Sequence, residues 1–246
     1  MKTVAIVQAR VGSSRLPGKV FQDIAGAPML RRVMDRLGRA RELDAIVVAT
    51  TTEPGDAAIE DFCRAAGWTC SRGSELDVLD RYHHAARIAG ADVVVRITSD
   101  CPLIDPGLVD EIVAAFRNRQ PGLDYLSNTI GRRTYPRGLD VEVFSFAALE
   151  RAWREDDDPA WREHVTPYIY RRTDRFRCET FEQEADHSGW RWTVDTAADL
   201  EMVRRIHEHF GHDEFTWQAA LRACLEHPEW AELNHHIEQK SVDRVA

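Results

Sequence analysis

Cysteine is scarce: Cys63, Cys70, Cys101, Cys178 and Cys224 are the five in 246 residues. The number is odd and no two stand in C-x-x-C spacing, which argues against a disulfide framework or a zinc ribbon and suits reduced thiols in a cytoplasmic enzyme. Long hydrophobic runs are missing too, and with them any expectation of a membrane span. The apolar start of the chain soon meets Gln8 and Arg10, so it reads as a buried strand and not as a signal peptide. Positive charge is in deficit: 32 Lys and Arg against 41 Asp and Glu leave a net charge of -9, which argues against general nucleic-acid binding. A local basic site remains possible under that balance. No Walker A loop is present, because five residues separate Gly12 from Gly18-Lys19 and Val20 follows. No G-x-G-x-x-G follows the first strand, which excludes the dinucleotide fingerprint. Internal repeats, low-complexity tracts and clear linkers are absent.

What is present is concentrated in Gln8-Ala9-Arg10-Val11-Gly12-Ser13-Ser14-Arg15-Leu16-Pro17-Gly18-Lys19. An apolar strand runs straight into small residues and fixed cations. Gly12 and Gly18 let backbone turn sharply or approach a ligand. Backbone N–H groups and the Ser13 and Ser14 hydroxyls can donate to phosphate oxygens. Arg10, Arg15 and Lys19 bring three charges, and arginine can grip phosphate with two donors at once. The loop has the composition of a triphosphate cradle.

Elsewhere, period and turn signals predict strands at Thr3–Gln8, Ala45–Ala49, Trp68–Ser71 and Asp92–Thr98. Helices are predicted from Pro28, over Gly55–Ala66, over Leu76–Ala89 and over Leu108–Asn118. This alternation implies a parallel sheet with both faces covered. The later chain is mixed, with strands expected at Leu123–Asn128, Leu139–Phe144, Phe176–Phe181 and Trp190–Val194. Helices are expected over Phe146–Arg154, Trp161–Arg172 and Asp199–Phe210, with a helical tail from Phe215. Glu155–Asp158 reads as an exposed, solvated loop. Asp105, before Pro106, and Asp199 are expected to cap helices. His207, His209 and His212 read as an exposed helix end stopping at Gly211, not as a zinc site. Trp217 and Trp230 are expected to pack.

The twelve-residue loop resembles the signature of the CMP-sugar-synthesising cytidylyltransferases, in the branch typified by spore coat polysaccharide biosynthesis protein F. CMP-Kdo synthetase and acylneuraminate cytidylyltransferase are more distant relatives. Further matches are Thr98-Ser99-Asp100-Cys101-Pro102, Arg72-Gly73-Ser74-Glu75, Tyr135-Pro136-Arg137-Gly138-Leu139-Asp140-Val141-Glu142, Glu163-His164-Val165-Thr166-Pro167-Tyr168 and Trp192-Thr193-Val194-Asp195. The resemblance implies a single-domain α/β, Rossmann-like nucleotide-diphospho-sugar transferase fold. Its mixed, mostly parallel sheet would be covered by helices. Residues 1–125 would form the nucleotide half, 126–210 the acceptor and dimerisation half, and 211–246 a helical tail.

It also implies the chemistry. An acidic acceptor would attack the α-phosphate of CTP, and pyrophosphate would leave. Asp100 and Asp195 would hold Mg2+, and Arg10, Arg15 and Lys19 would join them as catalytic residues. Gln8, Ala9, Gly12, Ser13, Ser14, Arg72, Ser74 and Ser99 would complete the nucleotide site. Tyr135, Arg137, Asp140, Glu142 and His164 would meet the acceptor. Arg132 and Arg133 could serve there as well; Asp140 and Glu142, alternating along a strand and so facing one side, could orient an acceptor hydroxyl or hold those arginines in place, and His164 could equally act at a dimer interface or be structural. Arg81 and Tyr82, on a helix, fit packing and a salt bridge as well as function. A cytoplasmic homodimer is implied. Two other classes stay open: a glycosyltransferase on a related fold, against which the single Asp of Thr98-Ser99-Asp100 counts, and a non-catalytic nucleotide-binding scaffold.

Overall fold

The computed structural model describes residues 1–238. Its sheet is built around β1 (Thr3–Gln8), whose residues Val4 to Val7 are fully buried. Such a run has no solvent face and belongs inside a sheet covered on both sides. Ala5 and Val7 join one core, Val4 and Ile6 the other, as the two-residue period of a strand requires. After the loop, a small hairpin of β2 (Asp23–Ile24) and β3 (Ala27–Pro28) leads into α1 (Met29–Leu37). Then follow β4 (Ala45–Thr51), α2 (Ala57–Ala66), β5 (Thr69–Gly73), α3 (Val78–Ala89), β6 (Val93–Thr98) and α4 (Pro106–Arg117). β1 lies between β4 and β6, parallel to both, with Val4 opposite Ala45 and Val94.

The second half adds β7 (Tyr125–Ser127), β8 (Glu142–Ser145), α5 (Phe146–Glu155), α6 (Pro159–His164), α7 (Pro167–Arg171) and β9 (Cys178–Thr180). Seven of the described strands form one sheet in the order β5-β4-β1-β6-β8-β7-β9, and β2 and β3 pair separately. β8 runs antiparallel to β6 and β7, and β9 is parallel to β7. The sheet is therefore mixed and mostly parallel, as expected. The chain closes with α8 (Ala197–Phe210), α9 (Trp217–Glu226) and a 3-10 turn at Pro228–Leu233. Trp217 and Trp230 sit in the same core as Val7 and pack, as expected.

Four expectations are corrected. The helix expected over Trp161–Arg172 breaks at Val165, where φ is 72°; Pro167 has no N–H to continue the ladder and instead opens α7. Trp190–Val194 is not a strand: among the described residues its one ladder contact is the isolated bridge between Arg137 and Arg191. Glu155–Asp158 is not a free loop, because Asp156 is buried and Asp158 caps α6 through the amide of Ala160. His207 is not exposed; it is 2% accessible and packs against Phe215. Asp105 and Asp199 do cap α4 and α8, the latter in a capping box with Thr196.

Candidate active site

The loop after β1 is folded back on itself. Gly18 N–H donates to the Val11 carbonyl at 3.1 Å, and the Val11 amide donates to Asp56 Oδ1 at 2.7 Å. Asp56, buried in the turn after β4, thereby pins the loop against the sheet. Gly18 takes a left-handed conformation (φ 68°) that starts the 3-10 turn Lys19–Phe21 and turns Lys19 inward.

β6 delivers the second component. Its end is tied to β1 by the Ser99 amide on the Gln8 carbonyl at 3.1 Å. Thr98 Oγ1 donates to Asp100 Oδ1 at 2.6 Å and orients the carboxylate. The third component crosses the end of β6: Val194 N–H donates to the Asp100 carbonyl at 2.8 Å, which brings Asp195 alongside. Lys19 Nζ donates to Asp100 Oδ2 at 2.8 Å, to Asp195 Oδ1 at 3.0 Å and to the Val194 carbonyl at 2.9 Å. Arg15 reaches Asp195 Oδ2 at 2.9 Å. Residues far apart in sequence thus meet around one ammonium. Burial opposes the charge on Lys19 and on Asp100. Their mutual attraction, with Asp195 adding to it on Lys19, outweighs burial and raises the Lys19 pKa while lowering that of Asp100.

These groups open onto a cavity of about 790 Å³. Of the residues named from the sequence, Gln8, Ala9, Arg10, Gly12, Ser13, Ser14, Arg15, Lys19, Ser99, Asp100, His164 and Asp195 line it. Six others do not. Arg72 is spent on the Thr51 and Glu53 carbonyls at 2.8 and 2.9 Å, and Ser74 Oγ accepts from the Asp77 amide at 3.0 Å. Tyr135 is buried against Trp217 and Phe181. Arg137 pairs through its backbone with Trp190 and Trp192. Asp140 is held by Arg133 at 2.6 Å. Glu142 is buried, accepting from Tyr125 Oη at 2.7 Å and Thr166 Oγ1 at 2.5 Å and pairing with Arg96.

The cavity is also lined by Glu75, Val78, Thr98 and Glu163, which stand in or beside the matched motifs, by Arg81, and by Arg96 and Glu238, which the sequence did not single out. Arg81 is 2% accessible and donates to the Ser74 carbonyl; burial first and then Arg10 lower its pKa. Arg96 comes from the middle of β6, where only the polar break in an apolar run could have marked it. α6 reaches the cavity because Arg162 bonds Asp77, the cap of α3, at 2.7 Å. Glu163 and His164 thereby line the same cavity as Val78 and Arg81.

The model of the family described as "Cytidylyltransferase" matches residues 4–233. The chain belongs to the cytidylyltransferase family. It is 30% identical to the spore coat polysaccharide biosynthesis protein SpsF of Bacillus subtilis over 84% of this chain and 86% of that one. It is 34% identical to a 3-deoxy-manno-octulosonate cytidylyltransferase of Syntrophobacter fumaroxidans over 69% of this chain and 74% of that one. A solved cytidylyltransferase from Leptospira borgpetersenii superposes with a TM-score of 0.91 at 32% identity, covering 98% of this chain and all of its own. The branch and the more distant CMP-Kdo-type relation read from the loop both stand. So does the fold, and nucleotidyltransferase chemistry is that of the family. Among the described residues, no helix is long and apolar enough to cross a membrane.

Proposed function

We propose that this chain transfers CMP from CTP to an acidic sugar or similar acceptor, releasing pyrophosphate, in the synthesis of a surface polysaccharide. The family and the named relatives support the reaction class. The observation that carries the assignment to this cavity is the meeting of Lys19, Asp100 and Asp195 at the mouth of the cationic loop. A cytoplasmic homodimer is part of the proposal, on the family resemblance alone.

The same meeting point tests the fit of Mg2+. Asp100 Oδ2 and Asp195 Oδ1 both lie within 3.0 Å of one ammonium nitrogen, so two hard oxygen donors already converge on a cation. Among the described residues there is no group of three or more metal-ligating side chains. Two carboxylates with phosphates and water are the donor set that Mg2+ takes. Asp100 and Asp195 would hold the ion, which when bound screens charge on the phosphates.

The chain's own residues do the rest. The acceptor oxygen attacks the α-phosphorus in line, the bond to the bridging oxygen breaks, and pyrophosphate carries away the electron pair. Arg10, Arg15 and Lys19 neutralise charge that grows on the α-phosphate and the leaving group. Backbone N–H groups of the loop hold the phosphates in register. Arg96, fixed by Glu142, and His164 line the same cavity and are proposed to meet the acceptor. Alignment of two bound reactants supplies much of the rate, so no covalent intermediate is required. The test is pyrophosphate release with each of the four NTPs and Mg2+ over a panel of acidic sugars. Release with CTP and one acceptor is expected. No release together with no CTP binding by calorimetry would overturn the proposal.

A further inference from the structure

We propose that Asn234, beyond the last helix, is a positioning residue that holds Asp195 in place for its work in the cavity. The proposal rests on the reading of Asp195 given above. The stretch that carries Asp195 has little sheet support. Its described ladder contact is the single Arg137–Arg191 bridge, and beyond it Val194 N–H reaches the Asp100 carbonyl. Something else must fix the carboxylate.

Asn234 supplies that constraint from the other side. It is 3% accessible, and its amide nitrogen donates to the Arg191 carbonyl at 2.9 Å and to Asp199 Oδ1 at 3.0 Å. Asp199, fully buried, accepts from the Asp195 amide at 3.0 Å and from Arg191 Nε at 2.8 Å. Arg191 Nη2 in turn donates to Asp195 Oδ2 at 2.9 Å. One buried carboxamide therefore grips both groups that grip Asp195, one on its backbone and one on its side chain. With Oδ2 taken by Arg191 and Arg15, Oδ1 is the oxygen presented to Lys19. The segment bearing Asn234 is anchored independently: Trp230 stacks on His227 at 4.4 Å and meets His209 of α8 edge-on. The tail thus acts as a buttress to the site, and outer partners of this kind typically change metal affinity or activity by about 10–100-fold.

The test compares Asn234→Ala with Trp230→Phe, a packing change in the same segment. Binding of Mn2+ in the presence of CTP, without acceptor, is followed by electron paramagnetic resonance of the free ion. Thermal unfolding and steady-state kinetics run alongside. Asn234→Ala should weaken Mn2+ binding about tenfold or more and lower kcat, with the KM for CTP within about twofold. Trp230→Phe should lower the unfolding temperature while binding Mn2+ as the wild type does. If the alanine variant does not fold, Asn234→Ser, whose single hydroxyl proton cannot bridge the Arg191 carbonyl and Asp199 together, should weaken Mn2+ binding in the same direction. Wild-type Mn2+ affinity in the Asn234 variants, or equal weakening in Trp230→Phe, would overturn the inference while leaving the proposed function intact. A wild-type protein that binds CTP but no Mn2+ would overturn the metal reading and this inference together.

Discussion

Lys19→Met removes one charge from the centre of the site and keeps most of the side chain's length. In the ligand-free chain that charge neutralises Asp100 and Asp195 at 2.8 and 3.0 Å. The Lys19 side chain is 12% accessible, Asp100 24% and Asp195 12%, so the pair is neither a surface bridge nor a dry one. Breaking buried pairs costs about 3–5 kcal/mol and breaking exposed ones about 0–1, so about 2 kcal/mol is expected here. Arg15 still holds Asp195, which leaves Asp100 with most of the loss. For a chain of this size that is a fall in Tm of about 4–8 °C in EDTA. Mg2+ should reverse it, because a bound ligand at about one hundred times its Kd returns about 2.7 kcal/mol. The wild type should gain less from Mg2+, since there the ion must displace the ammonium from both oxygens. The assay is differential scanning calorimetry of both proteins, each in EDTA and in Mg2+. A Tm in EDTA equal to the wild type, or equal Mg2+ shifts in the two proteins, would refute the view that Lys19 and a divalent ion compete for this pair.

Other outcomes follow from buried groups away from the cavity. Burial, with Arg32 and Arg36 nearby, pushes the His207 ring down to about 3. The unfolded ring takes up a proton near pH 6.5, so stability present at neutral pH is lost as pH falls below that value, about 2 kcal/mol by pH 5. His207→Gln should flatten the curve of urea midpoint against pH; parallel curves for the two proteins would reject this assignment. Gly138 has φ 104°, and a Cβ there would lie 2.6 Å from the Thr193 amide nitrogen, backbone that cannot swing aside. Gly138→Ala should therefore cost about 3 kcal/mol or more and displace the Trp192–Thr193 backbone that leads to Asp195. A variant with unchanged urea midpoint and activity would show that the loop relaxes freely.

What could be read from the sequence was what is local. The phosphate cradle is one run of residues, so its glycines, hydroxyls and cations are visible together, and that run lines the cavity. β1 was visible because burial on both faces leaves no polar alternation in Val4 to Val7. Of the residues assigned to the acceptor, His164 lines the cavity, while Asp140 and Glu142 hold arginines instead. Asp140 and Glu142 share a face only if both lie in a strand, but β8 begins at Glu142. Each then finds its own arginine: Asp140 takes Arg133 from the same loop, and Glu142 takes Arg96 from the facing strand. The useful product of Glu142 is thus the placement of Arg96, a pairing that depends on strand register and leaves no mark in either segment alone.

The tail was opaque for the same physical reason. Asn234 bonds to Asp199 and to Arg191 across 35 and 43 positions of chain. Nothing around Asn234 has the composition of a site, because its task is to satisfy one carbonyl and one carboxylate in a dry setting. Buried polar groups are kept only with partners, so a lone asparagine that is 3% accessible should have a specific partner, but the sequence does not say where. Charge that meets a ligand clusters in sequence when one loop wraps the ligand. Charge that holds other charge is free to come from anywhere, and in this chain the second kind surrounds the first.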